Sequence, residues 1–194
     1  MSGFTTAAAI LAGGRARRFG GQDKSRLVVL GQPIIVRQLH ILQRVAQRIF
    51  VVGSNPGRFA DLGLTVHSDR LPNLGAIGGL YTALEVADTD AVIVVACDLP
   101  FLHEGVLREL VRRSQSADGT WIRSARGVEP LFACYRRSAR HAIPAEIQAG
   151  RLKAADLGHV LRMAELTERD LTALGATDAV LANLNSPDDY ARVQ

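Results

Sequence analysis

Apolar positions along the chain fall into short solid runs that alternate with amphipathic stretches. Ala7, Ala8, Ala9, Ile10 and Leu11 form one such run, ending at Gly13 and Gly14, which predicts a buried strand feeding a loop. Pro33 suits a first helical turn, and Ile35, Leu39, Leu42, Val45 and Ala46 then recur at helical spacing. Ile49, Phe50, Val51 and Val52 are β-branched or aromatic and stop at Gly53, a second buried strand. A short strand is expected over 64–67. Residues 75–86 read as a glycine-led helix with Leu80, Ala83 and Leu84 on one face. The run from Ala91 to Ala96 has no polar alternation, so it predicts a strand covered on both faces, and it ends at Cys97-Asp98-Leu99-Pro100. A helix over 104–113 carries Val106, Leu107, Leu110 and Val111 as its apolar stripe.

Strand and helix thus alternate through the first half, which favours an α/β fold with a mainly parallel sheet and right-handed crossovers. The second half is less regular. Strands are expected over 120–123 and 130–135, a helix over 138–148, and a helix start at Ser186-Pro187-Asp188-Asp189, where a serine cap is followed by proline and acids. Neither an internal repeat nor a linker interrupts the chain, so residues 1–194 are expected to form one domain.

Composition narrows the setting. The 194 residues are 47% hydrophobic and 22% charged, an ordinary globular balance. No apolar run approaches the roughly 18 residues that span a bilayer, and no basic leader precedes a cleavable apolar stretch. A cytoplasmic protein with no membrane partner is the expectation. Cys97 and Cys134 sit in apolar runs without CxxC spacing, which predicts buried free thiols. The five histidines form no ligand-spaced cluster for zinc. Net charge is +4, and Lys24 and Lys153 are the only lysines. That excess fits a nucleic-acid surface, an anionic small molecule or solvated arginines equally. RNA-binding modules interleave stacking aromatics with cations. Aromatics are 5% of this chain, with Phe19 alone in the arginine-rich loop, so no nucleic-acid partner is expected.

Four segments carry candidate chemistry. The first runs from Leu11, Ala12, Gly13, Gly14 and Arg15 through Arg18 to Asp23-Lys24-Ser25. Glycines permit backbone turns that aim successive amides at one point, and such nests with added cations bind phosphate. Walker A is excluded because Asp23, not glycine, precedes Lys24; the dinucleotide pattern is excluded because Gly13 and Gly14 are adjacent. The second is Asp98, a carboxylate at a strand end that can hold Mg2+ or cap a turn. The third is Gly75-Ala76-Ile77-Gly78-Gly79 after Asp69, where glycines serve either close approach to a ligand or helix–sheet packing. The fourth is Asn183-Leu184-Asn185, whose alternation puts both amides on one side.

In this order, with Ser54-Asn55 and Glu129-Pro130-Leu131-Phe132 between them, the segments resemble the molybdenum cofactor guanylyltransferases across nearly the whole chain. The first loop alone resembles a wider nucleotidyltransferase superfamily. The resemblance implies a Rossmann-like three-layer nucleotidyltransferase fold, a mainly parallel sheet with an antiparallel strand in its second half. It implies transfer of GMP from GTP to molybdopterin-bound molybdenum cofactor with Mg2+, and transient contact with proteins that donate or accept that cofactor. By position, the backbone of Leu11, Ala12 and Gly13 would meet the guanine. Lys24 with Arg15 or Arg18 would neutralise phosphate, Asn55 and Asp69 would lie on the base or ribose side, and Asp98 would hold the metal. Asn183 and Asn185 would face the pterin phosphate or the metal. One departure stands out: where the family commonly reads Gly-Pro-Leu-Ala-Gly, this chain has Ala76 and Gly78. A cytidylyltransferase for the same pterin, or a nucleotidyltransferase with a sugar-phosphate acceptor, shares the first loop and remains an alternative.

Overall fold

The computed structural model describes residues 3–13, 24–55, 57–184 and 189–190. Gly14, Arg15, Arg18, Asn185 and the expected helix start at Ser186 lie outside the described residues. Strands β1 (Thr6–Leu11), β4 (Arg48–Val52), β5 (Thr65–His67) and β6 (Ala91–Ala96) lie parallel, with β1 between β4 and β6. Strand β8 (Gly127–Arg136) runs antiparallel to β6 and to β7 (Gly119–Ser124), and β9 (Met163–Thr167) closes the far side parallel to β7. The order across the sheet is β5-β4-β1-β6-β8-β7-β9.

The solid apolar runs are explained by two helical layers. Ala8 and Ile10 of β1 face helices α1 (Ile34–Leu42), α3 (Glu104–Ser114) and α5 (Glu168–Ala173), whose Leu39, Leu107 and Leu171 share that core. Ala7, Ala9 and Leu11 face α2 (Ala76–Val86) and α4 (Ile143–Gln148) through Leu80, Leu84 and Ile143. A strand sandwiched this way has no solvent side on which to alternate polar residues. Cys134 is buried in the first core, whereas Cys97, just past the end of β6, is only partly buried; no disulfide joins them.

Several expected elements are modified. Helix α1 stops at Leu42, and Val45 and Ala46 pack against the core from a turn instead. The helix expected over 138–148 is two pieces: a 3-10 segment, Arg137–His141, and α4, which restarts with Pro144 in its first turn because proline has no N–H for the preceding ladder. Strand β8 is longer than expected, and its register against β7 shifts between Trp121 and Ile122. A hairpin of β2 (Val28–Val29) and β3 (Gln32–Pro33), absent from the sequence reading, turns through Leu30 and Gly31 at φ 49° and 79°. Also unanticipated are β9 and α5, where Thr167 caps the helix and forms a reciprocal box with Asp170. Arg113 of α3 ties down that start through Asp170, at 2.8 Å.

Candidate active site

Sheet order reverses at β1: the chain first builds outward to β4 and β5, then crosses back to β6 on the other side. Ligands in open α/β sheets bind at such switch points, beyond the carboxyl ends of the strands. Leu11, Ala12 and Gly13 leave β1 there, and Cys97 and Asp98 leave β6 beside them, with the Cys97 N–H donating to the Leu11 carbonyl at 3.2 Å.

Lys24 and Asp98 meet across this gap, with Nζ 3.6 Å from Oδ2 and side-chain exposures of 20% and 18%. Burial pushes the Asp98 carboxyl above its ordinary value, and the Lys24 charge works against that rise. The segment 182–184 crosses the same spot: the Leu184 N–H donates to the Asp98 carbonyl at 3.1 Å. Asn183 Oδ1 beside it is buried with no hydrogen-bond partner among the described residues. Orphaned acceptors of this kind are uncommon in folded proteins.

The backbone of the β1 loop is more committed than the sequence suggests. Ala12 N–H donates to the Val52 carbonyl at 2.9 Å, and the Ala12 carbonyl accepts from Arg58 Nη1, also at 2.9 Å. The Arg58 guanidinium lies over the Phe59 ring, 5.1 Å from its centroid. Gly13 is the exposed residue of the three, with nothing within 4 Å of where a Cβ would lie.

Asn55 is exposed just past β4, where its Oδ1 accepts from the Gly57 N–H at 3.1 Å. Asp69 follows β5. Its Oδ1 accepts from the Leu71 N–H at 2.9 Å and lies 3.0 Å from the Thr82 hydroxyl of α2. Gly75 starts α2 with φ 67°, a left-handed conformation that glycine adopts without penalty. For Gly78 and Gly79 the packing alternative holds: a Cβ on Gly78 would fall 2.5 Å from the Leu71 carbonyl oxygen, and one on Gly79 would fall 3.4 Å from Leu11 Cδ1. Gly78 is therefore what lets α2 close on the Asp69 turn.

The structure thus gathers Leu11, Ala12, Gly13, Lys24, Asn55, Asp69, Gly75, Asp98 and Asn183 along the carboxyl edge of β1, β4, β5 and β6. Two contributors were not anticipated. Arg58 holds the Ala12 carbonyl, and no spacing rule marks it. Gln38 lies on the buried stripe of α1 with Ile34, Ile35, Leu39 and Leu42; an amide amid that apolar periodicity was the available signal.

Asp98 and Asn183 suit a hard divalent cation, since both offer oxygen. Among the described residues there is no group of three or more His, Cys, Asp or Glu side chains that could hold a metal. Mg2+ needs none, because it commonly takes one or two carboxylates and fills its shell with water and substrate phosphate.

Comparison with known proteins agrees with the geometry. The profile of the MobA-like NTP transferase domain matches residues 8–169. A probable molybdenum cofactor guanylyltransferase of Pelotomaculum thermopropionicum is 31% identical over 95% of this chain and 90% of its own length. One of Carboxydothermus hydrogenoformans is 31% identical over 95% and 93%. Among solved structures, molybdopterin-guanine dinucleotide biosynthesis protein A of Archaeoglobus fulgidus matches with a TM-score of 0.80 at 24% identity, covering 96% of each chain. The 2-C-methyl-D-erythritol 4-phosphate cytidylyltransferase of Thermus thermophilus matches at 0.66 and 14%, covering 95% of each, a likeness of fold. The chain belongs to the MobA-like NTP transferase family and is a nucleotidyltransferase.

Proposed function

We propose that the chain transfers GMP from GTP to the terminal phosphate of molybdopterin-bound molybdenum cofactor. The observation that carries this reading is the Lys24–Asp98 pair, 3.6 Å apart at the switch point of the sheet. It is joined by relatives that bear the name molybdenum cofactor guanylyltransferase over nearly their whole length. An oxygen of the acceptor phosphate attacks the α-phosphorus of GTP. As that P–O bond forms, the bond bridging the α- and β-phosphates breaks, and its electron pair leaves with pyrophosphate. The attacking phosphate is already anionic, so no general base is required.

The protein's part is positioning and charge neutralisation. Lys24 neutralises phosphate charge: two unit charges about 4 Å apart interact by roughly 4 kcal/mol at an effective dielectric of 20, before desolvation. Arg18 assists Lys24 on the departing pyrophosphate, and Gly14 and Arg15 extend the phosphate loop; these three lie beyond the described residues. Gly13, with the Leu11 and Ala12 backbone behind it, faces the base. Asn55, Asp69 and Gly75 line the base and ribose side, where Asn55 and Asp69 share or exchange their present bonds to Gly57 and Leu71. Asp98 would hold Mg2+, and Asn183 and Asn185, the latter outside the described residues, would complete its shell or serve the acceptor phosphate. Bound there, Mg2+ would supply a Lewis acid for a phosphate oxygen.

This chemistry belongs in the cytoplasm, where GTP is made, and the product passes to other proteins by transient contact. Among the described residues, no helix is long and apolar enough to cross a membrane. Calorimetric titration with GTP, CTP and ATP in Mg2+ tests the choice of base. Tighter binding of GTP is expected. Preference for CTP would overturn the guanylyl reading in favour of cytidylyl transfer.

A further inference from the structure

Gln38 is fully buried in the middle of α1, yet it is an amide rather than a hydrocarbon. Its Nε2 donates to two carbonyls at once, Ala96 at 2.8 Å and Leu99 at 2.9 Å. These are the last residue of β6 and the residue after Asp98, so one side chain spans the turn that presents the carboxylate. The amide orientation follows from the partners: reversed, Oε1 would face two carbonyl oxygens and no donor. In the orientation adopted, Oε1 is buried without a hydrogen-bond partner among the described residues.

Within the turn, the Leu99 N–H reaches the Ala96 carbonyl only at 3.4 Å, longer than either bond from Gln38. Helix α1 adds a second hold one residue on, where Arg37 Nε donates to the Pro100 carbonyl at 3.1 Å. A leucine or methionine at position 38 would continue the apolar stripe of α1 without an unpaired amide oxygen, but would take away the donor to the Ala96 and Leu99 carbonyls. The amide is a poor choice for packing alone, because a buried polar atom without a partner carries a desolvation cost. It does serve to fix two carbonyls on either side of Asp98.

We propose that Gln38 is a positioning residue for Asp98, setting through the Ala96 and Leu99 carbonyls the direction in which the carboxylate is offered to a divalent cation. This rests on the reading of Asp98 as the metal-holding residue. Partners behind metal ligands commonly change affinity by ten- to a hundredfold when removed.

The test is Mn2+ binding to the full chain, followed by electron paramagnetic resonance, with thermal melting and amide hydrogen exchange of the metal-free protein. Gln38→Met fills the same space without donors. It is expected to weaken Mn2+ binding by on the order of tenfold or more and to speed exchange at the Leu99 amide. Leu39→Ala, a buried change on the same helix, is expected to lower the melting temperature and leave Mn2+ affinity as it was. Should Gln38→Met fail to fold, Gln38→Asn, one methylene shorter, withdraws the amide from both carbonyls and is read the same way. Unchanged Mn2+ affinity and unchanged Leu99 exchange in a folded Gln38 variant would overturn the proposal. Asp98→Asn separates the two ideas. If it abolishes Mn2+ binding while the Gln38 variants bind normally, only the positioning role falls. If it too binds normally, the metal reading of Asp98 falls and the positioning role with it.

Discussion

Replacing Gly78 by alanine sets two effects of opposite sign against each other. Alanine is the better helix former by about 0.8–1.0 kcal/mol in a helix interior, and Gly78 lies within α2. Propensity alone therefore makes Gly78→Ala stabilising, and alanine is what the family commonly carries here. Against that, the new Cβ would fall 2.5 Å from the Leu71 carbonyl oxygen and 3.3 Å from Asp69 Oδ2. The first of these is a backbone atom in a turn held by the bond from the Leu71 N–H to Asp69 and by the Arg70 N–H on the Thr82 hydroxyl. It cannot rotate away as a flexible side chain would, so either α2 or the Asp69 turn must shift. Overpacking of this kind costs about 1–3 kcal/mol. The net expectation is a loss of up to about 2 kcal/mol. For a chain of this size that is a fall in Tm of up to roughly 8 °C, measured by calorimetry. Displacement of Asp69 should also weaken GTP binding. A Gly78→Ala protein that melts higher than the parent would show that α2 and the Asp69 turn are not packed as described.

Two further changes test the charge arrangement. In the metal-free chain, Lys24→Gln removes the cation that works against burial at Asp98, so the carboxyl should titrate at higher pH than in the parent, read by carboxyl 13C NMR; a lower midpoint would refute the pairing. Asp170 is held at about 2, below its ordinary 3.8, chiefly by the hydrogen bond from Arg113 and next by Thr167. A depressed carboxylate stabilises the fold above its unfolded pKa and loses that contribution as pH falls toward the folded value. Asp170→Ala should therefore cost about 1–2 kcal/mol at neutral pH, with solvent screening of a partly exposed pair keeping it modest. The difference should shrink as pH drops from near 4 toward 2, seen in urea melts; a pH-independent difference would contradict the assignment.

What the sequence revealed followed from how each element is buried. Strands β1, β4 and β6 were legible because helices cover both faces of the sheet, which turns each into an unbroken apolar run. Strand β9 was not, since Glu165 interrupts Met163-Ala164-Glu165-Leu166-Thr167 and pairs outward with Arg123. The Thr167-Glu168-Arg169-Asp170 box that opens α5 was present in the sequence as a capping signal. The split near Pro144 follows from its missing N–H, a rule that was available. At the site, Lys24 and Asp98 each stood out beside a strand, but their meeting depends on β1 lying next to β6, a long-range pairing that no local pattern encodes. Asn55 and Asp69 were picked out by position, whereas their bonds to Gly57 and Leu71 emerge only from the folded turns. Gln38 was hidden in plain view, because helical periodicity located the buried stripe of α1 without explaining an amide within it.

Guanylyl transfer itself is tested most directly by incubating the purified chain with GTP, Mg2+ and molybdenum cofactor, following pyrophosphate release and identifying the pterin product by mass spectrometry. The parent should release pyrophosphate in step with formation of the guanine dinucleotide form, and Asp98→Ala, still folded, should form neither. A parent that forms no guanylated product from intact cofactor, or an Asp98→Ala protein that forms it at the normal rate, would contradict the function and the role given to Asp98 respectively.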